Sequence, residues 1–430
     1  MHIQDLYQLY LQHPSIQTDT RLLKPGDLFF ALKGPSFNGN AFAEKAIQMG
    51  ATAVIIDDVS YAMPNKTILV DDVLQTLQQL AKHHREQFSI PFIAITGSNG
   101  KTSTKELIHT VLSTHYITYT TQGNLNNHIG IPLTILRIKK DAQLAVIEMG
   151  ANHQKEIEGY CVYAQPTHGI ITNCGKAHLE GFGGEEGVRK GKGELYDYLR
   201  TQAGTIFVCN NYDYLLDMSK DIPNIIAYGS KDADTIGHVV HSEPFIHVEV
   251  SKGLSTKTII STQLVGAYNL PNVLAAVAVG KYFKVPDEKI VQAIEAYKPN
   301  NSRSQWIERG SNKIILDAYN ANPSSMQLAI DNFAQLQAAK KMLLLGGMAE
   351  LGSESIAEHQ HIVQTIQAHS WQQVVLVGGD FKYTKHSYLF FDTVQQAAEW
   401  LAAQAFDHTH FLIKGSRSVS MEKVLDVIVA

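Results

Sequence analysis

The feature that most constrains the fold is an apolar run followed at once by a glycine-rich turn and a helix-forming segment. Residues 93–95 have the composition of a buried strand, the turn 97–100 follows, and Lys101 opens a segment with helical periodicity. Such a turn directs backbone N–H groups at the N-terminus of a helix, where the helix dipole favours a phosphate. The order of strand, Gly-Lys-Thr turn and helix therefore predicts a nucleotide-binding phosphate loop.

The side chains of this turn suit the same ligand. Lys101 supplies a mobile cation for the outer phosphates, and the Thr102 hydroxyl can join the shell of a Mg²⁺ ion. The common phosphate-loop pattern has an earlier glycine where this chain has Ile95. An ordinary strand-to-helix turn is the alternative. The predicted nucleotide contacts are Gly97, Ser98, Asn99, Gly100, Lys101, Thr102 and Ser103.

Size, charge and cysteine content exclude several protein classes. The 430 residues are too many for one core, so we expect about two to three domains. Lys and Arg total 36 against 41 Asp and Glu, which leaves no basic field for nucleic acid. Three cysteines without Cys-x-x-Cys spacing argue against a disulfide framework or a structural zinc. The N-terminus lacks a signal-peptide pattern and no apolar run reaches membrane-spanning length, so we expect a cytoplasmic protein with no membrane partner.

The chain is predicted to be an α/β protein of three segments. Residues 1–85 carry short apolar runs around a helical pattern, which predicts a small α/β unit. Between 86 and 298 strands and helices alternate, as in a parallel, mostly buried sheet. Residues 299–430 repeat the alternation after a turn-rich stretch and close with a helix. Because this last segment lacks a Gly-x-Gly-x-x-Gly fingerprint, we expect a Rossmann-like domain that binds no dinucleotide.

Polar residues follow two strands of the central segment, at the sheet edge where α/β proteins bind ligands. Glu148 comes directly after the apolar run 144–147, the place of a Mg²⁺ ligand beside a phosphate loop. His178 follows the run 169–172, although Mg²⁺ prefers oxygen ligands. A solvated carboxylate and a structural imidazole are the alternatives. The amide-rich loop 124–132 by itself indicates only hydrogen-bonding capacity.

Taken in order, these motifs resemble the Mur ligase family, the ATP-dependent amide ligases of peptidoglycan precursor synthesis. The likeness extends over nearly the whole chain. Its features are the turn 97–102, the loop 124–132, Glu148, Ala177-His178, Lys192-Gly193-Glu194, Gly266-Ala267-Tyr268-Asn269 and Arg303. The chain is most similar to the member that joins D-alanyl-D-alanine to a UDP-linked muramoyl tripeptide. That narrower likeness is carried by residues 18–21 with 26–34, 319–323, 348–352 and 414–417.

The resemblance implies a metal site built around an unusual lysine. Two Mg²⁺ ions would be held by Thr102, Glu148, His178 and a Lys192 that CO₂ has converted to a carbamate. Carbamate formation requires a lysine that can lose its proton, hence a lowered pKa in a partly buried site. Lys190, two residues away, is the rival position. The implied catalytic residues are Lys101, Lys192 and His178.

The resemblance also implies nucleotide and substrate contacts. Adenine-side contacts map to Asn269 and Asn272, with Tyr268 in place of the family's usual histidine, and phosphate and ribose contacts map to Arg303 and Asp317. The UDP end would bind Thr18, Asp19, Thr20, Arg21, Lys33 and Gly34. The other implied substrate contacts are Asn124, Asn126, Asn127, Tyr319, Asn320, Asn322 and Lys414.

The reaction that this resemblance implies is amide formation driven by ATP. The carboxylate of the UDP-MurNAc-tripeptide would attack the γ-phosphorus to give an acyl phosphate, which the amine of D-Ala-D-Ala then attacks. The dipeptide is expected between the central and C-terminal domains. Sites split across three segments predict large domain closure, and nothing demands more than a monomer.

Other functions explain fewer of the motifs. The ligase that adds the third amino acid carries an Asp-Asn-Pro-Arg signature that is absent here, and folylpolyglutamate synthase lacks a uridine-binding segment like 1–85. A phosphate-loop switch or motor ATPase would explain the turn and Glu148 but not Lys192-Gly193-Glu194. A non-catalytic homologue would normally have lost Lys101, Glu148 or His178. Amide ligase is therefore the predicted function, and the third residue of the tripeptide, diaminopimelate or lysine, stays open.

Overall fold

The computed structural model describes residues 2–428. Its chain divides into two compact units. The first comprises the chain up to Ala94 together with Tyr116–Gly150 and Glu156–His168; the second comprises Ile95–His115, Ala151–Lys155 and the chain from Gly169 on. Two strands, Phe92–Thr96 and His168–Ile171, have residues in both units.

The first unit contains a small parallel sheet. Its four strands run in the order Ile16–Gln17, Leu28–Phe30, Ala53–Ile56 and Thr67–Leu69, and every neighbouring pair is parallel. The two central strands are fully buried, which matches their continuous apolar sequence. Further strands are Lys33–Gly34, Phe37–Asn38, Thr118–Thr120 and Leu144–Glu148. The α-helices are Ile3–Gln12, Ala43–Gln48, Val73–Arg85, Gly130–Ile135 and Glu156–Ala164, and short 3₁₀ turns are Thr20–Leu22, Gly39–Phe42 and Val59–Tyr61.

The helix Val73–Arg85 shows how local sequence sets an element of this unit. Asp72 caps it by accepting a hydrogen bond from the backbone N–H of Gln75 at 2.7 Å. Leu77 and Leu80 lie three residues apart on one face, and both are fully buried. Thr118–Thr120 and Leu144–Glu148 belong to a different sheet from the four-stranded one. They lie in the order Thr118–Thr120, Leu144–Glu148 and Phe92–Thr96, and the first pair is parallel.

The second unit contains the helix that follows the phosphate turn. Its α-helices are Lys101–Ser113, Leu179–Phe182, Glu185–Thr201, Asp213–Met218, Leu270–Tyr282, Asp287–Ala296, Pro323–Gln335, Ser355–Gln367 and Val394–Ala402, and its 3₁₀ turns are Ala267–Asn269, Gly352–Glu354, Gly379–Tyr383 and Met421–Val427. One sheet has the order Phe92–Thr96, His168–Ile171, Thr205–Cys209, Asn224–Gly229, Thr235–His241, His247–Lys252 and Thr258–Ser261.

The C-terminal sheet of this unit has six strands. Their order is Gln305–Arg309, Asn312–Asp317, Thr409–Lys414, Lys340–Gly346, Gln373–Val377 and Leu389–Phe391. Only the first pair is antiparallel; the others are parallel, as the alternating pattern predicts. Residues 342–345 at its centre are fully buried. The α/β prediction with parallel-dominated sheets is therefore confirmed.

Two local features differ from the sequence-based prediction. The strands Thr235–His241, His247–Lys252 and Thr258–Ser261 form antiparallel pairs that the alternating pattern did not indicate. Their side chains are buried on one face only, so they lack the continuous apolar runs that mark the buried strands. The closing segment Met421–Val427 is a 3₁₀ helix that buries Met421 and Val424, three residues apart, on one side.

No helix within residues 2–428 is both long and apolar enough to cross a bilayer. The three cysteines, Cys161, Cys174 and Cys209, are buried thiols. Burial raises the pKa of the Cys174 thiol to about 12 and that of the Cys209 thiol to about 11, so both stay protonated and unreactive at neutral pH.

His168, at the start of a buried strand, predicts a pH-dependent loss of stability. Burial lowers its pKa to about 4, against an unfolded value of about 6.5. Below about pH 6.5 the unfolded chain binds a proton that the folded histidine does not, so the free energy of unfolding falls as the pH falls toward 4. We expect this residue to contribute about 2 kcal/mol of the loss between pH 7 and pH 5.

Urea unfolding at pH 7, 6 and 5 checks this expectation. The variant His168→Gln should lose less stability over that range than the parent chain, by about 2 kcal/mol. The exposed His361, replaced by Gln, is the matched control and should keep the parent slope. Equal slopes in all three proteins would contradict the assignment to His168.

Candidate functional site

The phosphate turn has a backbone that only glycine allows at two positions. Gly97 and Gly100 have φ angles of 142° and 80°, in the region that L side chains rarely adopt. A Cβ at Gly97 would lie 2.0 Å from the Thr172 hydroxyl, and one at Gly100 would lie 2.8 Å from the Asn272 amide oxygen. The two glycines therefore let the turn pass close to its neighbours and start the helix Lys101–Ser113.

Two backbone N–H groups of the predicted phosphate turn form hydrogen bonds that hold the turn in place. The backbone N–H groups of Ser98 and Asn99 donate to the backbone and side-chain oxygens of Asn173, at 2.9 and 3.1 Å. The Thr172 hydroxyl donates to the Asn99 carbonyl at 2.6 Å. These bonds hold the turn in place ahead of the helix N-terminus, the position that the sequence predicts for a phosphate. Ser98 and Asn99 shape that site through their backbone.

Lys101 and Thr102 lie at the end of this turn. The Lys101 Nζ donates to the carbonyls of Gly97 and Ser98 at 2.7 and 3.2 Å, so its side chain folds back across the turn. The Thr102 residue is buried, at 3% exposure. This arrangement places an ammonium group beside the helix N-terminus, where it adds to the positive potential for a phosphate chain.

The two asparagines predicted on the adenine side form hydrogen bonds beside the phosphate turn. The Asn272 amide oxygen accepts from the Thr104 hydroxyl at 3.0 Å, and its Nδ2 donates to Asn269 at 2.8 Å. Asn269 in turn donates to the Val265 carbonyl at 2.8 Å. The two amides thus connect the helix Leu270–Tyr282 to the phosphate turn, while the Tyr268 hydroxyl pairs with Ser304 at 2.8 Å.

Glu148 ends its strand as a fully buried carboxylate. Its Oε1 accepts from the side-chain amide of Asn126 at 2.8 Å, and its backbone N–H donates to the Thr121 hydroxyl at 3.0 Å. The Asn126 amide lies so close to Gly150 that a Cβ there would be 2.9 Å from it. Within the first unit, Asn126 therefore orients Glu148.

The other amides of that loop have local partners. The Asn127 side-chain oxygen accepts from the N–H groups of Ile129 and Gly130 at 3.2 and 2.9 Å, just before the helix Gly130–Ile135. Asn124 is exposed, and its backbone carbonyl accepts from the N–H of Asn126 at 2.8 Å. The hydrogen-bonding capacity predicted for this loop is used largely to build the loop itself.

Burial separates the two candidate lysines on the helix Glu185–Thr201. Lys190 is exposed, whereas Lys192 is only 1% exposed. The Lys192 Nζ donates to the Ala151 carbonyl at 2.9 Å and lies 4.7 Å from the centre of the Phe182 ring. Of the two lysines, Lys192 is therefore the one in the buried position that the carbamate prediction requires.

His178 is held by a residue that the sequence analysis did not single out. Its Nδ1 is buried and contacts the carboxylate of Glu350, which comes from the C-terminal segment. This contact lowers the pKa of Glu350. The only sequence signal for Glu350 is its place in the stretch 348–352, which carries part of the family likeness.

A second contact between the central and C-terminal segments reaches the phosphate turn directly. The Asn322 side chain caps the helix Pro323–Gln335 through the N–H of Ser325 at 2.9 Å, and its Nδ2 donates to the side-chain oxygen of Asn99 at 2.8 Å. Next to it the Ser324 hydroxyl accepts from the N–H of Lys176 at 2.9 Å. Asn322, predicted as a substrate contact, therefore connects the turn to the C-terminal segment.

The remaining predicted residues of the C-terminal segment form a polar cluster. Asp317 accepts from the Lys414 Nζ at 2.5 Å and from the N–H of Ser304 at 3.0 Å. The guanidinium of Arg303 lies 3.7 Å from the centre of the Tyr319 ring. Asn320 contributes its carbonyl, 3.4 Å from the Lys414 Nζ. Asp317 and Lys414 are thus paired with each other.

The predicted UDP-binding residues of the first unit are near its surface. The Arg21 guanidinium pairs with Asp19 at 2.6 Å and lowers the pKa of that carboxyl to about 2. Lys33 pairs with Asp57 at 2.9 Å. Thr20 is buried, Thr18 is half-buried, and Gly34 lies over the ring of Phe37, which a Cβ would approach to 2.4 Å.

The donor set suits a hard cation better than a transition metal. Within residues 2–428 no three His, Cys, Asp or Glu side chains converge as a metal cluster. The implied ligands are instead one buried carboxylate, one hydroxyl, one imidazole and a lysine whose carbamate would add oxygen ligands. Glu148 and Thr102 are both buried, so their oxygens are removed from bulk water. These residues fit Mg²⁺, which takes few protein ligands and keeps substrate phosphates and water in its shell.

Comparison with protein-family models identifies three consecutive regions of the chain. Residues 14–85 match the catalytic domain of the Mur ligase family, residues 95–280 match the Mur ligase middle domain, and residues 302–417 match the Mur ligase glutamate ligase domain. The UDP-N-acetylmuramoyl-tripeptide–D-alanyl-D-alanine ligase of Bacillus subtilis (strain 168) is 36% identical over 370 residues, which are 84% of this chain and 79% of that protein.

Solved structures agree with the sequence comparison. A crystal structure of MurF from Acinetobacter baumannii superposes with a TM-score of 0.88 at 29% identity, covering 99% of this chain and 97% of that one. The MurF ligase of Thermotoga maritima, solved in complex with ADP, gives a TM-score of 0.87 at 25% identity and covers 97% of both chains. Both have the three-domain Mur ligase architecture that the resemblance implied.

The Asn126–Glu148 contact predicts a measurable stability loss. Asn126→Ala removes a donor from a fully buried carboxylate, and the free energy of unfolding should fall by about 1–3 kcal/mol. Asn124→Ala, in the same loop but exposed, is the control and should change it by less than about 0.5 kcal/mol. Urea titration at neutral pH measures both. Equal stabilities of the two variants would show that the amide does not hold Glu148.

Proposed function

The chain belongs to the Mur ligase family, and from that premise we propose that it is an ATP-dependent, ADP-forming ligase that joins D-alanyl-D-alanine to UDP-N-acetylmuramoyl-tripeptide. The product would be the UDP-MurNAc-pentapeptide of peptidoglycan synthesis. The carrying observation is that Thr102, Glu148 and Lys192 are each buried, in a chain whose relatives of similar length are named for this reaction.

The proposal assigns one task to each of three domains. Residues 1–85 would bind the UDP end, residues 86–298 the nucleotide, and residues 299–430 would close the site and contact the dipeptide. A cytoplasmic monomer is part of the same proposal.

Nucleotide binding rests on the helix N-terminus and on Lys101. The Thermotoga maritima relative was solved with ADP. In this chain the N–H groups of residues 100–103 would receive the phosphates, with the Lys101 ammonium beside them. Arg303, held flat on Tyr319, presents the bidentate donor that suits a phosphate, and Asn269 and Asn272 would form the base side of the site.

The chemistry has two bond exchanges. The terminal carboxylate of the tripeptide attacks the γ-phosphorus, the bond to the β-phosphate oxygen breaks, and ADP leaves. The dipeptide amine then attacks the acyl carbon, loses a proton, and inorganic phosphate leaves with the acyl oxygen. Mg²⁺, held by Thr102, Glu148, His178 and carbamylated Lys192, would neutralise the phosphate charge. Lys101 and the helix N-terminus stabilise the same charge, while the protein orients the reacting groups.

Phosphate release tests the proposed reaction. With ATP and Mg²⁺, release should require both the UDP-MurNAc-tripeptide and D-Ala-D-Ala, and mass spectrometry should find the pentapeptide. Parallel reactions with diaminopimelate or lysine as the third residue determine which tripeptide is accepted. Release that is indifferent to both substrates would overturn the proposal in favour of a switch or motor ATPase.

Lys192 and Lys190 provide a matched pair for the carbamate. Lys192→Ala should lower kcat at least about 100-fold, because a charged group near the transferring phosphate is removed. The exposed Lys190→Ala should retain activity. Initial rates at high and low bicarbonate measure both variants and the parent chain. Full activity of Lys192→Ala at both bicarbonate levels would refute the carbamate.

A further inference from the structure

His178 and Glu350 face each other across the junction of the central and C-terminal segments. The His178 Nδ1 is buried and faces a carboxylate oxygen of Glu350 in an ion-pair contact. The two side chains are 24% and 49% exposed, so the pair lies at the edge of the site and not in the core. Any group that binds His178 from the site side must therefore use Nε2.

The turn that carries Glu350 is held by hydrogen bonds within the C-terminal segment, independently of His178. The N–H of Met348 donates to Nε2 of the buried His359 at 3.0 Å, and the N–H of Glu354 donates to the Leu351 carbonyl at 3.1 Å. Burial lowers the pKa of His359, so its ring stays neutral and can accept that bond at neutral pH. The turn 348–354 is thus a fixed platform of the C-terminal segment.

The turn 348–354 and the residues next to it also contact the chain around His178 at other positions. The N–H of Glu180 donates to the Glu350 carbonyl at 3.3 Å. Gly352, with φ of 55°, packs against the Glu180 side chain, where a Cβ would lie 3.2 Å away. Close by, the Lys176 Nζ pairs with Glu358 at 2.7 Å. The carboxylate of Glu350 therefore reaches Nδ1 only when these two turns are docked.

A carboxylate beside one imidazole nitrogen determines where the proton of a neutral ring resides. The nitrogen that faces the anion carries the hydrogen, because a lone pair there would be repelled, and the other nitrogen keeps its lone pair. Histidines that bind metals are commonly oriented in this way by a carboxylate. For His178 the arrangement leaves the lone pair on Nε2.

We propose that Glu350 is a positioning residue that holds His178 as the Nδ1–H tautomer and does so only when the turns 348–354 and 178–182 are docked. The role rests on the proposed ligase function, in which His178 serves the metal-phosphate site. Docking of the C-terminal segment would then set the tautomer of His178, which belongs to the central segment.

The tautomer can be measured without substrate, nucleotide or metal. In the full-length protein labelled with ¹⁵N-histidine, the difference from His178→Gln assigns the ring signals of His178. The parent chain should show a protonated Nδ1 and an unprotonated Nε2. Glu350→Ala should shift the population toward Nε2–H, and Glu350→Gln should restore Nδ1–H, since an amide oxygen still accepts that hydrogen. A parent ring with Nε2–H, or one that Glu350→Ala leaves unchanged, would overturn the proposal.

Kinetics provide the second measurement. Glu350→Ala should lower kcat/KM by about 10–100-fold because Mg²⁺ binds more weakly, and Glu350→Gln should recover most of the loss. Glu354→Ala, an exposed carboxylate in the same turn, is the control and should match the parent chain. Equal losses in the alanine and glutamine variants would contradict a tautomer role. If no variant or parent ligates the dipeptide, the ligase proposal fails while the ¹⁵N measurement still decides the role of Glu350.

Discussion

The hydrogen bonds between the phosphate turn and the strand end 172–175 are the contacts on which the site depends. Asn173 receives the N–H groups of Ser98 and Asn99, and Thr172 donates back to the Asn99 carbonyl. These bonds fix the turn before any ligand binds, so the helix N-terminus is directed at the phosphate position without further ordering. Preorganisation of this kind is what electrostatic stabilisation of a transferring phosphoryl group requires.

From that turn, two contacts extend into the C-terminal segment. Asn322 bonds to Asn99, and Glu350 contacts His178, which follows the same strand end. The two partners come from separate turns of the six-stranded region, one before the helix Pro323–Gln335 and one after the strand Lys340–Gly346. A displacement of the C-terminal segment would therefore break both contacts. The Asn99 side-chain contact and the His178 contact therefore depend on the same docked arrangement of the C-terminal segment.

The sequence predicts what is encoded by local patterns. Apolar runs locate the strands that end at Thr96 and Glu148, because buried parallel strands need continuous hydrophobic sequence. The Gly-Lys-Thr turn is predictable because its backbone needs glycine at positions 97 and 100. The antiparallel strands around 235–261 have no such signature, since half of their side chains face solvent.

Partners that are distant along the chain are the part that no local pattern can predict. Asn126 and Asn322 were both expected to contact substrate, yet their amides are engaged by Glu148 and Asn99. Asparagine has the same local preferences whether its partner is a substrate or a residue far along the chain. Lys192 is buried and Lys190 is exposed, a difference that no local pattern gives because it depends on the contacts of Lys192 with Ala151 and Phe182. These predicted site roles stay predictions until the variants are measured.

Three residues with side chains have strained backbones among the predicted site residues and their partners. His178 and Glu350 both have left-handed φ angles, 53° and 64°, as does Ser304 at 50° beside Asp317. Such conformations cost roughly 1–3 kcal/mol each for residues with a side chain and persist only where surrounding contacts hold them. Each of the three is held: the two turns by their mutual contacts, and Ser304 by Asp317 and Tyr268. Because the strain of Glu350 and His178 is offset by contacts that exist only in the docked state, release of the C-terminal segment would relax both turns. Were the C-terminal segment to undock for product release, this strain would lower the cost of opening.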